Sequence, residues 1–294
     1  MSKLGTERWR LNKVGPALLA LVLLCLCATG VFGQATDESS QPAPPVAPQQ
    51  IIVKDSASKR FRQTLWSDQK AIWTSPFHLN DGRPATIAAL PLIAGTAALI
   101  ATDKDAAKWL PNTPDQVKWS KRVSQIGAIY TLGGVVGGFM LVGKKKDEPE
   151  IFNTGRSSAR ALINAVIVNY SLKYIAARER PIDNDGQGRF WKGGDSFPSG
   201  HSMESWAIAT VIARSKSPKW FKITTCAVAT AVSLSRWGAQ RHFPSDILAG
   251  GVMGGLIGNF VATRANEDRM ARPCPRATLT LRPCSGLPLQ ASLS

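Results

Sequence analysis

The stretch VSQIGAIYTLGGVVGGFMLVG, residues 123–143, carries no charged side chain and limits what this chain can fold into more than any other feature. It is long enough to cross a bilayer as a helix, and its glycine pairs permit close helix packing. Five further apolar segments lie at 85–102, 161–172, 203–213, 223–235 and 247–263. All are rich in Ala, Leu, Ile and Gly, none alternates with a two-residue period, and loops carrying Pro, Gly and charges separate them. The pattern predicts an all-α fold, a bundle of six helices. Segments 161–172, 203–213 and 223–235 are too short as purely apolar runs to span a membrane, and mean hydropathy is only −0.07. A bundle within lipid and a bundle beside the membrane facing the periplasm both fit.

The first residues hold Lys3, Arg8, Arg10 and Lys13 ahead of PALLALVLLCLCATGVFG, with Val31 and Gly33 before Gln34. This is the order of a cleaved signal peptide over residues 1–33, so export by a bacterial-type route is expected; an uncleaved membrane anchor is the other reading. Residues 34–84 form a Pro- and Gln-rich linker (34–50) and an N-terminal extension, 85–265 the folded domain, and 266–294 a polar tail. Cys226 sits in an apolar segment and reads as a buried small hydrophobe, whereas Cys274 and Cys284 in the tail are close enough in sequence to pair. No cysteine spacing resembles a zinc site.

With 36 Lys and Arg against 20 Asp and Glu the formal charge is +16, which points to an anionic partner. Basic residues interleaved with aromatics are missing, which speaks against nucleic acid. Three short stretches suggest phosphate instead. In SLKYIAARERP, Lys173 and Arg180 stand close to two helical turns apart, and Pro181 disfavours helix at Arg180. In DSFPSGHSMESWA, Pro198, Ser199, Gly200 and His201 read as a helix start, where unpaired backbone N–H groups receive an anion. In RWGAQRHFPSD, His242 precedes Pro244 at the head of the last apolar segment, and Asp246 falls in its first turn. From there Asp246 can complement the helix dipole and accept a hydrogen bond from one ring nitrogen of His242, leaving the other as a nucleophile. Solvated helix ends are the plainer reading of each stretch alone. Two of the three histidines in the chain nevertheless fall at such starts, each beside Arg or Lys; His78 has no such company.

Taken in order, K-x6-R-P (Lys173 to Pro181), P-S-G-H (Pro198 to His201) and S-R-x5-H-x3-D (Ser235 to Asp246) resemble the type 2 phosphatidic acid phosphatase superfamily, whose active site is shared with bacterial acid phosphatases and vanadium haloperoxidases. The resemblance covers roughly residues 85–265 and implies a six-helix phosphatase. It implies that His242 attacks phosphorus and forms a phosphohistidine, that Asp246 orients it, and that His201 is the general acid. Lys173, Arg180, Ser199, Gly200 and Arg236 would bind the phosphoryl oxygens, with no metal or cofactor. The substrate would be a lipid phosphate or a small phosphate ester, met at a membrane surface or in the bilayer. Arg189, Lys192 and Arg241 are further cations near the motifs, with solvated surface charge as their plainer reading. Two other functions share the anion site: vanadate-dependent halide oxidation, and non-catalytic binding of phosphate or lipid headgroups in the cell envelope. The short catalytic region weighs against the first, and the complete set of two histidines and Asp246 against the second.

Overall fold

The computed structural model describes residues 57–74, 84–183 and 186–270. Residues 1–33, the linker at 34–50, His78 and the Cys274–Cys284 pair lie outside them. Among the described residues every regular element is helical: α1 (Ala57–Thr74), α2 (Pro84–Trp109), α3 (Pro114–Ser124), a 3₁₀ turn (Gln125–Gly127), α4 (Ile129–Lys145), α5 (Pro149–Ala176), α6 (Gly200–Arg214), α7 (Lys219–Gly238) and α8 (Pro244–Met270). Five of the six apolar segments lie on α2, α5, α6, α7 and α8, as expected of an all-α bundle; the sixth, 123–143, is not one continuous helix but runs from the end of α3 through the 3₁₀ turn and an extended Ala128 (ψ 146°) into α4.

Two helices were not foreseen, because both are polar along most of their length. Helix α1 docks through charge: Asp68, fully buried, accepts from Nε and Nη2 of Arg160 on α5 at 2.5 and 2.6 Å and from Nδ2 of Asn164 at 3.0 Å. Helix α3 begins where Thr113 caps the backbone N–H of Gln116 and Pro114 takes the first position, the arrangement that satisfies a helix start. At the other end, α8 continues through Met270, so residues 266–270 are helix rather than tail. Ion pairs extend it past its apolar stretch: Arg269 reaches Glu150 at 3.2 Å and Asp268 lies 3.6 Å from Arg160.

Helix α6 is the axis of the bundle. Its Met203, Ala207 and Val211 pack with Ala161, Ala165 and Val168 of α5 and Ile257 and Val261 of α8. Helices α6 and α8 touch backbone to backbone. A Cβ placed on Gly250, Gly254 or Gly258 would fall 2.5, 2.1 or 2.4 Å from the carbonyl oxygens of Ser199, Met203 and Ala207. Only glycine at every fourth residue allows that approach, and it brings the first turn of α8 against that of α6. Among the described residues two segments are long and apolar enough to cross a membrane, 114–145 and 244–270, and the apolar 18-residue windows within them are 28% and 61% buried.

Candidate active site

The site forms where α5 ends and α6 and α8 begin. Helix α5 stops at Ala177, which takes a left-handed conformation at φ 41° and turns the chain outward. The loop that follows folds back on this helix end: the N–H groups of Trp191 and Lys192 donate to the carbonyls of Ala176 and Ala177 at 2.9 Å, and that of Ser196 to Arg178 at 2.8 Å. Ser199 N–H then donates to the Asp246 carbonyl at 3.0 Å. Two segments about fifty residues apart in sequence are thereby joined next to both histidines.

His242 is 2% exposed. Its Nδ1 lies 2.6 Å from the carbonyl oxygen of Ser196. A carbonyl only accepts, so Nδ1 carries the proton and Nε2 keeps its lone pair. The partner differs from the one expected, since Asp246 Oδ2 stands 3.9 Å from Nδ1. Three other donors occupy that carboxylate: Arg178 Nη1 at 2.6 Å, Ser196 Oγ at 2.6 Å and the N–H of Phe243 at 2.8 Å. Asp246 therefore fixes the two backbone segments on either side of the ring, and the Ser196 carbonyl holds the ring itself.

Burial, followed by the charges of Lys173 and Arg236, keeps the His242 imidazole neutral well below the usual range. His201 is depressed to about 4 by burial and then by Arg236, Lys173 and Arg180. The same three cations, Lys173, Arg180 and Arg236, act on both rings. Arg236 itself is lowered to about 10, by burial first and then by Arg180 and Arg241, and burial lowers Lys173. Arg236 Nη1 donates to Ser124 Oγ at 3.1 Å, which ties it to the end of α3. Arg236 Nε and Ser199 Oγ are buried with no hydrogen-bond partner. Gly200 opens α6, and a Cβ there would lie 2.7 Å from Nδ2 of Asn169 and 3.4 Å from Oε1 of Glu204. Of the cations at the margin, Arg189 pairs with Glu179 at 3.2 Å and Lys192 is exposed.

Sequence reasoning missed several residues of this site. Arg178 is 2% exposed and lies between two rings, 4.7 Å from the centre of Phe190 and 4.4 Å from that of Phe243, close enough for cation–π attraction. Besides Asp246 it binds Asp103 of α2 at 2.8 Å. Asp103 in turn accepts from Ser245 Oγ at 2.5 Å and Ser245 N–H at 3.2 Å. Gly188, at φ 60°, lets the loop pass: a Cβ there would meet the Phe243 ring at 2.6 Å. The only sequence signal was a second arginine two residues before Arg180.

A model of the PAP2 superfamily matches residues 156–270. The lipid A 1-phosphatase of Porphyromonas gingivalis is 36% identical over 91 residues, which is 30% of this chain and 18% of that protein; the match spans about a fifth of its length. Among solved structures, LpxE from Aquifex aeolicus aligns over 52% of this chain and 88% of its own, at 21% identity and a TM-score of 0.40. The transmembrane PAP2-type phosphatidylglycerolphosphate phosphatase of Bacillus subtilis aligns over 74% and 98%, at 21% identity and a TM-score of 0.44. The segment that matches the PAP2 superfamily, 156–270, holds His201 and His242, the three cations and Asp246.

Proposed function

We propose that this protein is an exported phosphatase that hydrolyses lipid phosphates or small phosphomonoesters on the non-cytoplasmic side of the membrane, without a metal, through a phosphohistidine. The observation that carries this reading is His242: buried, neutral, with Nδ1 tied to the Ser196 carbonyl and Nε2 left free, under the field of three cations. Lys173, Arg180, Arg236, Ser199 Oγ and the Gly200 N–H receive the phosphoryl oxygens. Nε2 attacks phosphorus, the bond to the leaving oxygen breaks, and His201 donates its proton to that oxygen. In the return step His201 takes a proton from water, the resulting hydroxide attacks phosphorus, and phosphate departs with its oxygens while Nε2 recovers its lone pair. Fixed cations and helix starts stabilise the charge spread over the equatorial oxygens. A bound phosphoryl dianion would raise the pKa of His201, since two negative charges beside it favour the protonated ring.

A lipid substrate is supported by exposed apolar side chains close in sequence to the two cations of the K-x6-R-P stretch and to the PSGH stretch: Tyr174 is 89% exposed, Ile175 59%, Ile182 59% and Trp191 78%. The deciding experiment follows phosphate release by the purified full chain from a soluble aryl phosphate and from a phosphatidic acid vesicle. His242→Ala should lower turnover on both by on the order of 10³-fold or more, and quenched wild type should carry acid-labile phosphate on His242. Undiminished turnover in that variant would refute the nucleophile.

A further inference from the structure

The cations of the phosphate site are not equally ready for an anion. Arg236 keeps Nε without a partner. Arg180 is engaged along one edge: its Nε and Nη2 donate to Oδ1 and Oδ2 of Asp195, both at 2.6 Å. Lys173 Nζ donates to the backbone carbonyl of the same residue. One residue therefore holds both cations of the K-x6-R-P stretch. A carboxylate set in both prongs of a guanidinium is the geometry in which Arg also grips two phosphoryl oxygens. The two anions cannot share that fork.

We infer that Asp195 is an intramolecular competitor for the phosphate site: it fills Arg180 in the free protein, swings into solvent when a phosphoryl group arrives, and returns as phosphate leaves. This rests on the phosphatase reading and assigns to that site the residue that sets its affinity. The side chain can make the movement, because it is 57% exposed against 22% for Arg180, so water solvates the displaced carboxylate at little cost. It stays charged through the neutral range: burial would raise its pKa, but the hydrogen bonds and charge of Arg180, with Lys173, hold it below the ordinary carboxylate value. Its neighbour Ser196 cannot move in the same way, being fully buried between His242 and Asp246. Exchange is thus confined to one side chain, while the backbone that orients the nucleophile stays in place.

The competition weakens the binding of any anion that needs Arg180, product phosphate included, by the factor the internal pair contributes. Removing a partly exposed, charge-assisted pair should tighten inorganic phosphate by about three- to tenfold. The test is calorimetric titration of the full-length protein with inorganic phosphate at pH 8, for wild type, Asp195→Asn and Asp195→Ala. Both variants should bind more tightly than wild type, and their KM for a soluble aryl phosphate should fall in step. If wild type binds phosphate and the variants bind it equally or more weakly, Asp195 serves only to position Arg180 and the inference fails. If no form of the protein binds phosphate, the phosphatase reading fails with it.

Discussion

Glu204 is 7% exposed and sits one turn inside α6, its Oε1 against Gly200 and beside Asn169. Burial pushes its carboxyl up from 4.5 to about 7, only partly opposed by the charge of Lys173. A raised acid pKa costs the folded state nothing while the carboxyl is neutral in both folded and unfolded chains, below pH 4.5. The cost grows from there to pH 7, where the unfolded chain ionises first, and is constant above. From 4.5 to about 7 that amounts to about 3 kcal/mol, at about 1.4 kcal/mol per pH unit. Glu204→Gln should therefore leave stability unchanged at pH 4 and raise it by roughly that amount at pH 8, read as the difference in urea midpoints. At this scale the sequence revealed only part of the site. Lys173, Arg180, Ser199, Gly200, His201, Arg236, His242 and Asp246 lie at helix ends, where spacing and Pro or Gly signals show in a string of letters. Asp195, Ser196, Arg178, Asp103 and Glu204 carry no such signal, because a buried, paired charge is spelled like a solvated one and its partners come from elements far away in sequence.

Among elements, the contact of α6 with α8 positions most of the chemistry: α6 carries His201 and follows Ser199, and α8 carries Asp246. Gly250, Gly254 and Gly258 set their separation. At Gly254 a methyl group would lie 2.1 Å from the Met203 carbonyl, with backbone rather than a flexible tip in its way. Gly254→Ala should force the helices apart, costing about 2 kcal/mol in unfolding free energy, and should lower kcat by displacing Ser199 and His201 from the anion. A variant with wild-type stability and turnover would show that the bundle absorbs the methyl elsewhere. The six apolar helices were legible because each buries an apolar surface that repeats along the chain. Helices α1 and α3 were not, since α1 attaches through Asp68 and Arg160 and α3 meets α7 through polar groups, Gln116 Nε2 donating to the Gly238 carbonyl at 3.2 Å and Arg236 Nη1 to Ser124 Oγ at 3.1 Å. The extension of α8 to Met270 was hidden for the same reason: charges on a helix held by ion pairs look like charges on a tail.

Over the whole molecule, the +16 charge does not all face an external partner. Arg160 and Arg178 are internal, bound to Asp68 and to Asp103 with Asp246, while Lys173, Arg180 and Arg236 spend part of their charge on His201 and His242. Tyr174 and Trp191 are largely exposed, and the proposed lipid substrate would give such aromatic side chains an interface to enter. Trp191→Ser should lower kcat/KM for phosphatidic acid in vesicles by about tenfold, the effect of losing one inserted aromatic side chain, and leave a soluble aryl phosphate within about twofold. An equal loss on both substrates would place Trp191 in the shape of the loop instead. The link from Asp103 to Arg178 bears on where the working unit begins. The matched family segment starts at residue 156, yet a carboxylate from α2 helps neutralise the arginine that holds Asp246. A fragment trimmed to the family boundary would keep every motif and lose part of the charge balance beneath them. For expression, grafting or design, the smallest transferable piece therefore reaches back to α2, and homology marks out less than the chemistry requires.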